Sequence, residues 1–371
     1  MASIDQFKYA IDRLKNNPDD FESVLPERQK KFASYEEQIQ NLQSKGARIG
    51  KNSEECQRKL CEVTYYRMRG YLQRPHHKDY IPFKNACRFD EFDTKMRDLL
   101  FSALSRIEVS LRCQFSYFYA GCKGPYGHLN RSNHTSDESY DRFLDIVWNR
   151  VQETASTPFV KHYLKEYNGL MPLWVLSELL TFGHWVEFYQ DWTLEDKKSL
   201  IDQFYGKDTK FYRKGSKKPQ MAKGIKKKIR ARKLLVTGSD ANITQEERGK
   251  AENNPRFLSW LLSCRNLRNI CAHCGRLSYR AFQWNTNLPD EYSQQLNNEN
   301  RKSGEKLWEK ILAVQFLYPD PHEWTSVIVP QIKDLLKIAY SQGNSLNDDL
   351  LLSALGFPPD WEEQLKKWET L

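Results

Sequence analysis

The 371-residue sequence contains no apolar run approaching the roughly 20 residues that a membrane-spanning helix requires, which removes helical membrane proteins from consideration. Its opening residues, Met1 to Lys8, lack the basic start and apolar core of a secretory signal peptide. The eight cysteines sit at scattered spacings. These absences point to a cytoplasmic protein with reduced thiols and no membrane association. No segment alternates apolar and polar residues with the period of two that a half-buried strand shows, and no internal repeat is visible. No cluster of carboxylates is suited to holding two metal ions.

What is present is a core. Hydrophobic residues make up 39% of the chain and aromatics 13%, with 10 Trp and 19 Tyr, far above what a segment unable to fold would carry. The net charge of +9 is not spread evenly: residues 207–233 hold thirteen Lys or Arg against one acid, Asp208, and the remainder of the chain is slightly acidic. A charge concentrated in this way points to a polyanionic partner rather than to solubility.

Apolar spacings of three and four predict a helix, a turn at Gly46 to Gly50 and a second helix across residues 35–72. The strongest periodic run spans 90–120, where Phe92, Met96, Leu99, Leu100, Ala103, Leu104, Ile107, Leu111, Phe115 and Phe118 form one stripe of a long core helix. A loop rich in Gly, Ser, Asn and His occupies 121–136. Helical patterns return around 140–168, then over 173–190 with Pro172 suited to a first turn, and at 257–273, 304–318, 325–341 and after Pro359. The class is therefore all-α. Residues 207–233 interrupt this order as an insertion broken by Gly206, Gly215, Pro219 and Gly224, with a short helix expected over 225–236.

Metal-independent RNA cleavage needs a group that moves protons at the 2′-hydroxyl or the leaving oxygen, and a cation for the charge growing on the phosphate; histidine and arginine fit those roles. The run Leu267-Arg268-Asn269-Ile270-Cys271-Ala272-His273 supplies both in one helix, with Gly275 placed to cap its end. Asn269 and His273, four apart, share a ridge, so Asn269 is placed to hold the imidazole while Arg268 reaches phosphate from the flank. Spacing alone is weak evidence: Arg69 and His76 are separated by a similar interval, interrupted by Gly70 and Pro75.

The wider sequence supplies more. The run from Arg268 to His273, followed by Cys-Gly-Arg-Leu, resembles the HEPN nuclease motif as it occurs in the Abi (abortive-infection) family of bacterial phage-defence proteins. Similar stretches follow in family order: Gln38 to Gly46, Tyr65-Tyr66-Arg67-Met68-Arg69-Gly70-Tyr71, Phe92 to Leu100, Arg106-Ile107-Glu108, Leu173 to Glu178, Phe182-Gly183 and Leu355 to Pro358 before Trp361. The chain is most similar to the AbiD and AbiF branch, whose nuclease motif resembles that of type VI CRISPR effectors.

The resemblance implies a HEPN-like helical core at 86–320, interrupted by the basic insertion at 206–250, with an N-terminal helical region at 1–85 and a C-terminal helical tail at 321–371. It implies an endoribonuclease without cofactor, with Arg268, Asn269 and His273 catalytic, usually across a homodimer in which two motifs face one cleft. Arg106 and Glu108 are candidates for supporting the motif, or else solvent-facing charges. The branch is associated with small non-coding RNAs, so a structured RNA is an expected partner besides the target; a protein antitoxin is the other. The rival reading is a non-catalytic RNA-binding scaffold.

In the insertion, Arg213, Lys214, Lys217, Lys218, Lys226, Lys227, Lys228, Arg230, Arg232 and Lys233 are expected to track RNA phosphates, with Phe211 and Tyr212 stacking on bases; the bland alternative is a solvated loop. Cys264, Cys271 and Cys274 invite a zinc reading, but a second pair at matching spacing is wanting, and small buried thiols are the expectation. Trp174, Phe182, Trp185 and Phe188 are expected to pack in the core. His128, His134 and His184 have no assignable partner.

Overall fold

The amphipathic run centred on Leu100 becomes the spine of the molecule. In the computed structural model of the chain, residues 4–17, 19, 21–26, 29–50, 53–73, 80–205, 256–282, 286, 288, 306–340, 352 and 355–370 are described. The elements are α1 (Ile4–Asn16), α2 (Phe21–Val24), α3 (Tyr35–Ser44), α4 (Ser53–Glu62), α5 (Tyr65–Leu72), α6 (Phe83–Lys123), α7 (Asp137–Thr154), α8 (Pro158–Glu166), α9 (Leu173–Leu176), α10 (Phe182–Gln190) and α11 (Leu194–Tyr205). They continue with α12 (Arg256–Ala272), α13 (Leu307–Leu317), α14 (Pro321–Glu323), a π turn at Trp324–Ile328, α15 (Val329–Tyr340) and α16 (Trp361–Thr370). Among the described residues there is no strand, only an isolated bridge between Gln73 and Tyr80. The fold is all-α.

Helix α6 runs 41 residues, so it is about 60 Å long at 1.5 Å per residue. Pro82 precedes it and Gly124, at φ +86°, ends it. Every residue of the stripe read from the sequence is buried except Leu99, which is half-buried. Helix α12 lies antiparallel against it: Phe257 meets Phe115 at 6.5 Å between ring centroids, and further along Arg268 lies over Phe101. Helix α13 returns antiparallel to α12, with Trp260 on Phe316 at 4.5 Å. Trp185, Trp260, Trp308 and Trp324 are fully buried. No helix among the described residues is long and apolar enough to cross a membrane.

Two expectations need correction, each because a capping residue outweighs continued apolar periodicity. Residues 35–72 form three helices, not two, because the Thr64 hydroxyl accepts from the Arg67 amide at 3.3 Å and starts α5 afresh. The helical patterns around 140–168 resolve into α7 and α8, which begins at Pro158. The segment 173–190 divides into α9 and α10, because the Thr181 hydroxyl accepts from the His184 amide while the Thr181 amide donates to His184 Nδ1, both at 3.3 Å. This break turns Trp174 outward: it is 50% exposed, whereas Phe182, Trp185 and Phe188 are buried as expected. The expected helix at 225–236 lies outside the described residues.

Candidate active site

The motif sits on the last turn and a half of α12. Leu267, Ile270 and Cys271 face the core, and this fixes the rotation of the helix so that Arg268 is half-buried while Asn269 and His273 are exposed. The helix ends in a Schellman arrangement: the Cys274 amide donates to the Cys271 carbonyl at 3.1 Å and the Gly275 amide to the Ile270 carbonyl at 2.7 Å. The left-handed residue is Cys274, at φ +52°, not Gly275. Glycine is needed one position later for a different reason, since a Cβ at 275 would lie 2.8 Å from Ile270 Cγ2.

Beyond the cap, a polar lattice from α5 and α6 grips the chain that carries His273. Asp93 is buried on α6 and accepts from the Leu277 amide at 2.7 Å, the Ser278 amide at 3.0 Å, the Ser278 hydroxyl at 2.6 Å and the Tyr71 hydroxyl at 2.8 Å. Burial pushes the Asp93 carboxyl above its usual range, and these hydrogen bonds pull against that rise. Burial and the nearby Asp93 charge also push the Tyr71 hydroxyl up. Arg97 donates to the Gly275 carbonyl at 3.2 Å, and Arg67 donates to the Cys274 carbonyl. Arg67 is anchored in turn on Asp90 at 3.1 Å, as is Lys59 at 2.8 Å.

On the flank, Arg268 Nε lies 3.8 Å from the carboxylate of Glu108, which is buried and also paired with Arg112. The Arg268 guanidinium sits 5.8 Å over the Phe101 ring, and its Nη1 approaches Asn269 Oδ1 at 3.5 Å. Among the described residues no hydrogen bond joins the Asn269 side chain to the His273 ring; the tie between them is the His273 amide donating to the Asn269 carbonyl at 3.0 Å. Arg106, two residues from Glu108, turns to the other side of α6, where it pairs with Glu323 and lies 5.5 Å over Tyr318. The structure thus brings Glu108 to the motif and leaves Arg106 away from it. All the insertion residues from Arg213 to Lys233 lie outside the described residues.

The cysteines do not converge. Cys264 and Cys271 are buried, which pushes both thiols up, Cys271 to about 12, while Cys274 is exposed on the cap. Among the described residues no group of three or more His, Cys, Asp or Glu is placed to hold a metal ion.

Of the histidines left without a partner by the sequence, His134 and His184 gain ring contacts, while the Nδ1 of His128 is buried without one. His134 Nδ1 lies 2.6 Å from Asp191 and its Nε2 lies 3.0 Å from the His128 carbonyl. Asp191 also lines a cavity of about 280 Å³ between α7 and α10, with Ser139, Phe143, Glu187 and Phe188. Glu187 reaches α12 through Arg265 at 3.6 Å.

Sequence reasoning missed the lattice itself: Asp93, Tyr71, Arg67, Arg97, Leu277 and Ser278. Its members stand inside or directly after the stretches that carry the family likeness, but the contacts that reach the chain beyond His273 bridge sequence separations of 178 to 207 residues, and nothing local announces them. A family model described as Abi-like protein matches residues 58–279, more than half of the chain. No curated protein and no solved structure matches the chain.

Proposed function

The chain belongs to the Abi-like family, and from that premise we propose that it is a metal-independent endoribonuclease of HEPN type acting in abortive infection, with Arg268 and His273 as its catalytic pair. The observation that carries the reading is the pairing of an exposed, side-chain-unpartnered His273, among the described residues, with an Arg268 held against a buried Glu108, at the end of a helix fixed by the Asp93 lattice.

In this reading the 2′-hydroxyl of the RNA attacks the adjacent phosphorus. One His273 takes the hydroxyl proton as the new O–P bond forms, and a second imidazole protonates the departing 5′-oxygen as the old bond breaks. The products are a 2′,3′-cyclic phosphate and a free 5′-hydroxyl. Arg268 stabilises the charge on the phosphoryl oxygens, and Glu108 restricts its guanidinium to the flank of the helix. One motif per chain supplies one imidazole, so the full reaction calls for a homodimer. Phe101 and Val109, exposed on the α6 face beside Arg268, suit an apolar contact with the second copy. The basic segment at 207–233 then engages a structured RNA, with a protein antitoxin as the alternative regulator.

The test is to measure RNA binding and RNA cleavage separately for Arg268→Ala and His273→Ala. Each variant is expected to lose cleavage, keep binding and keep its helical circular dichroism. Loss of binding with no cleavage in the wild type would instead support a non-catalytic RNA-binding scaffold. Light scattering under assay conditions is expected to give a dimer, and an active monomer would reject the two-chain site.

A further inference from the structure

The residues just past the motif carry a second concentration of positive charge that the reaction described above does not use. Arg276 is half-buried and, among the described residues, makes no hydrogen bond or ion pair. Its guanidinium stacks 5.7 Å over Tyr71, and its Nη1 fills the space beside Gly70, where an added Cβ would lie only 2.0 Å away. A side chain at position 70 would move the guanidinium from this place. Arg280 is exposed, lies 5.8 Å over the Phe282 ring, and places its Nη1 3.4 Å from where a Cβ on Gly275 would stand. The charges of Arg67 and Arg280 act on Arg276: burial first, and then these two guanidinium groups, hold it below the ordinary arginine value against the opposing pull of Tyr71 and Asp93. Arg69, next to Gly70, has its Nε buried with no acceptor.

The acids nearby are already engaged. Asp90 is shared by Lys59 and Arg67, and Asp93 receives donors from Tyr71, Leu277 and Ser278. A guanidinium withdrawn from water beside like charges is unfavourable unless an anion arrives, and its planar fork of donors matches two oxygens of one phosphate. Arg276 follows His273 by three residues, so their backbones are at most about 11 Å apart.

We infer that Arg276 and Arg280 form a seat for a phosphodiester of the RNA strand beside the scissile bond, with Gly70 keeping the seat open. This deepens the nuclease reading and rests on it only for the identity of the strand. The seat would hold the backbone next to the phosphate that Arg268 engages, fixing which bond meets His273, and it would do so without regard to base sequence.

The test measures anisotropy of a short, single-stranded 2′-O-methyl RNA, which lacks the attacking hydroxyl and so reports binding without cleavage, across a range of salt concentrations. Arg280→Gln, an exposed change, and Arg276→Gln are each expected to weaken binding several-fold and to reduce the log-log salt slope by about 0.7. Excess inorganic phosphate should compete with the oligonucleotide on the wild type and compete less on either variant; competition by phosphate with an unaltered oligonucleotide slope would assign the site to a free anion and overturn the inference. So would unchanged affinity and slope in Arg280→Gln together with a folded Arg276→Gln. Should Arg276→Gln fail to fold, Arg280→Gln alone decides. A reduced slope in the variants of a protein whose wild type cuts no RNA would sustain the seat while removing the catalytic reading, and normal wild-type cleavage with an unaltered slope in the variants would do the reverse.

Discussion

The first half of α12 buries Phe257 and Trp260 among the rings of Phe115, Tyr189 and Phe316, whereas the turn beyond its last residue is gripped by Asp93, Arg67 and Arg97. Ring packing is non-directional and supplies much free energy, but it leaves an exposed side chain at the far end free to wander. Hydrogen bonds to a buried carboxylate supply less net stability and fix position to fractions of an ångström. One helix thus divides the work: burial at its start holds the fold, and directional bonds at its end hold the backbone beside His273.

That division can be broken from either side. Trp260→Ala, which empties a fully buried site, should lower stability by about 3–5 kcal/mol, read from the denaturant midpoint, while the molecules that remain folded cut RNA as before. The aromatic side extends to His128, edge-on to Phe143 and pushed down to about 4 by burial, with His134 adding to the shift. Its folded value lies below the unfolded one, so the unfolded chain takes up the proton first. Stability is then fully present above about pH 6.5 and is lost as pH falls through about 4, by roughly 3 kcal/mol in all. Thermal melts across that window should show the slope, and His128→Gln should flatten it.

On the polar side, Asp93→Asn replaces one acceptor oxygen by an amide that faces donors, and should cost about 1–3 kcal/mol. Its loss of cleavage should far exceed the unfolded fraction, the inverse of Trp260→Ala. Equal activity in the two variants at equal folded fraction would remove the distinction. The smallest effect belongs to Cys274→Gly: relieving a left-handed residue at the cap should raise stability by roughly 0.5 kcal/mol and leave cleavage unaltered, measurable as a small rise in Tm.

Much of this fold is legible in the sequence because apolar periodicity is a local signal. The stripe from Phe92 to Phe118, the motif helix and the C-terminal helices appear where their spacing puts them. Boundaries failed where a cap outweighs the periodicity, as Thr64 and Thr181 do, although each threonine is visible in the sequence. At the end of α12 the sequence placed Gly275 in the cap; the left-handed residue there is Cys274, and Gly275 is required because a Cβ would meet Ile270. For the site, the family likeness pointed to Arg268, Asn269 and His273, with Arg106 and Glu108 in support; of the last two only Glu108 lies at the motif. The lattice was illegible because Asp93 reads as one more charge on an amphipathic helix until Leu277 and Ser278, some 184 residues away, are folded onto it.

If His273 and Arg268 cut RNA without metal, as proposed, the ends of the cleavage products formed in excess EDTA, with RNA folding controlled, will show it. The wild type should yield 2′,3′-cyclic phosphate and 5′-hydroxyl ends at its magnesium-replete rate, and His273→Ala should yield no product while still binding the RNA. Cleavage that EDTA abolishes and magnesium restores, or wild-type cleavage by His273→Ala, would contradict it.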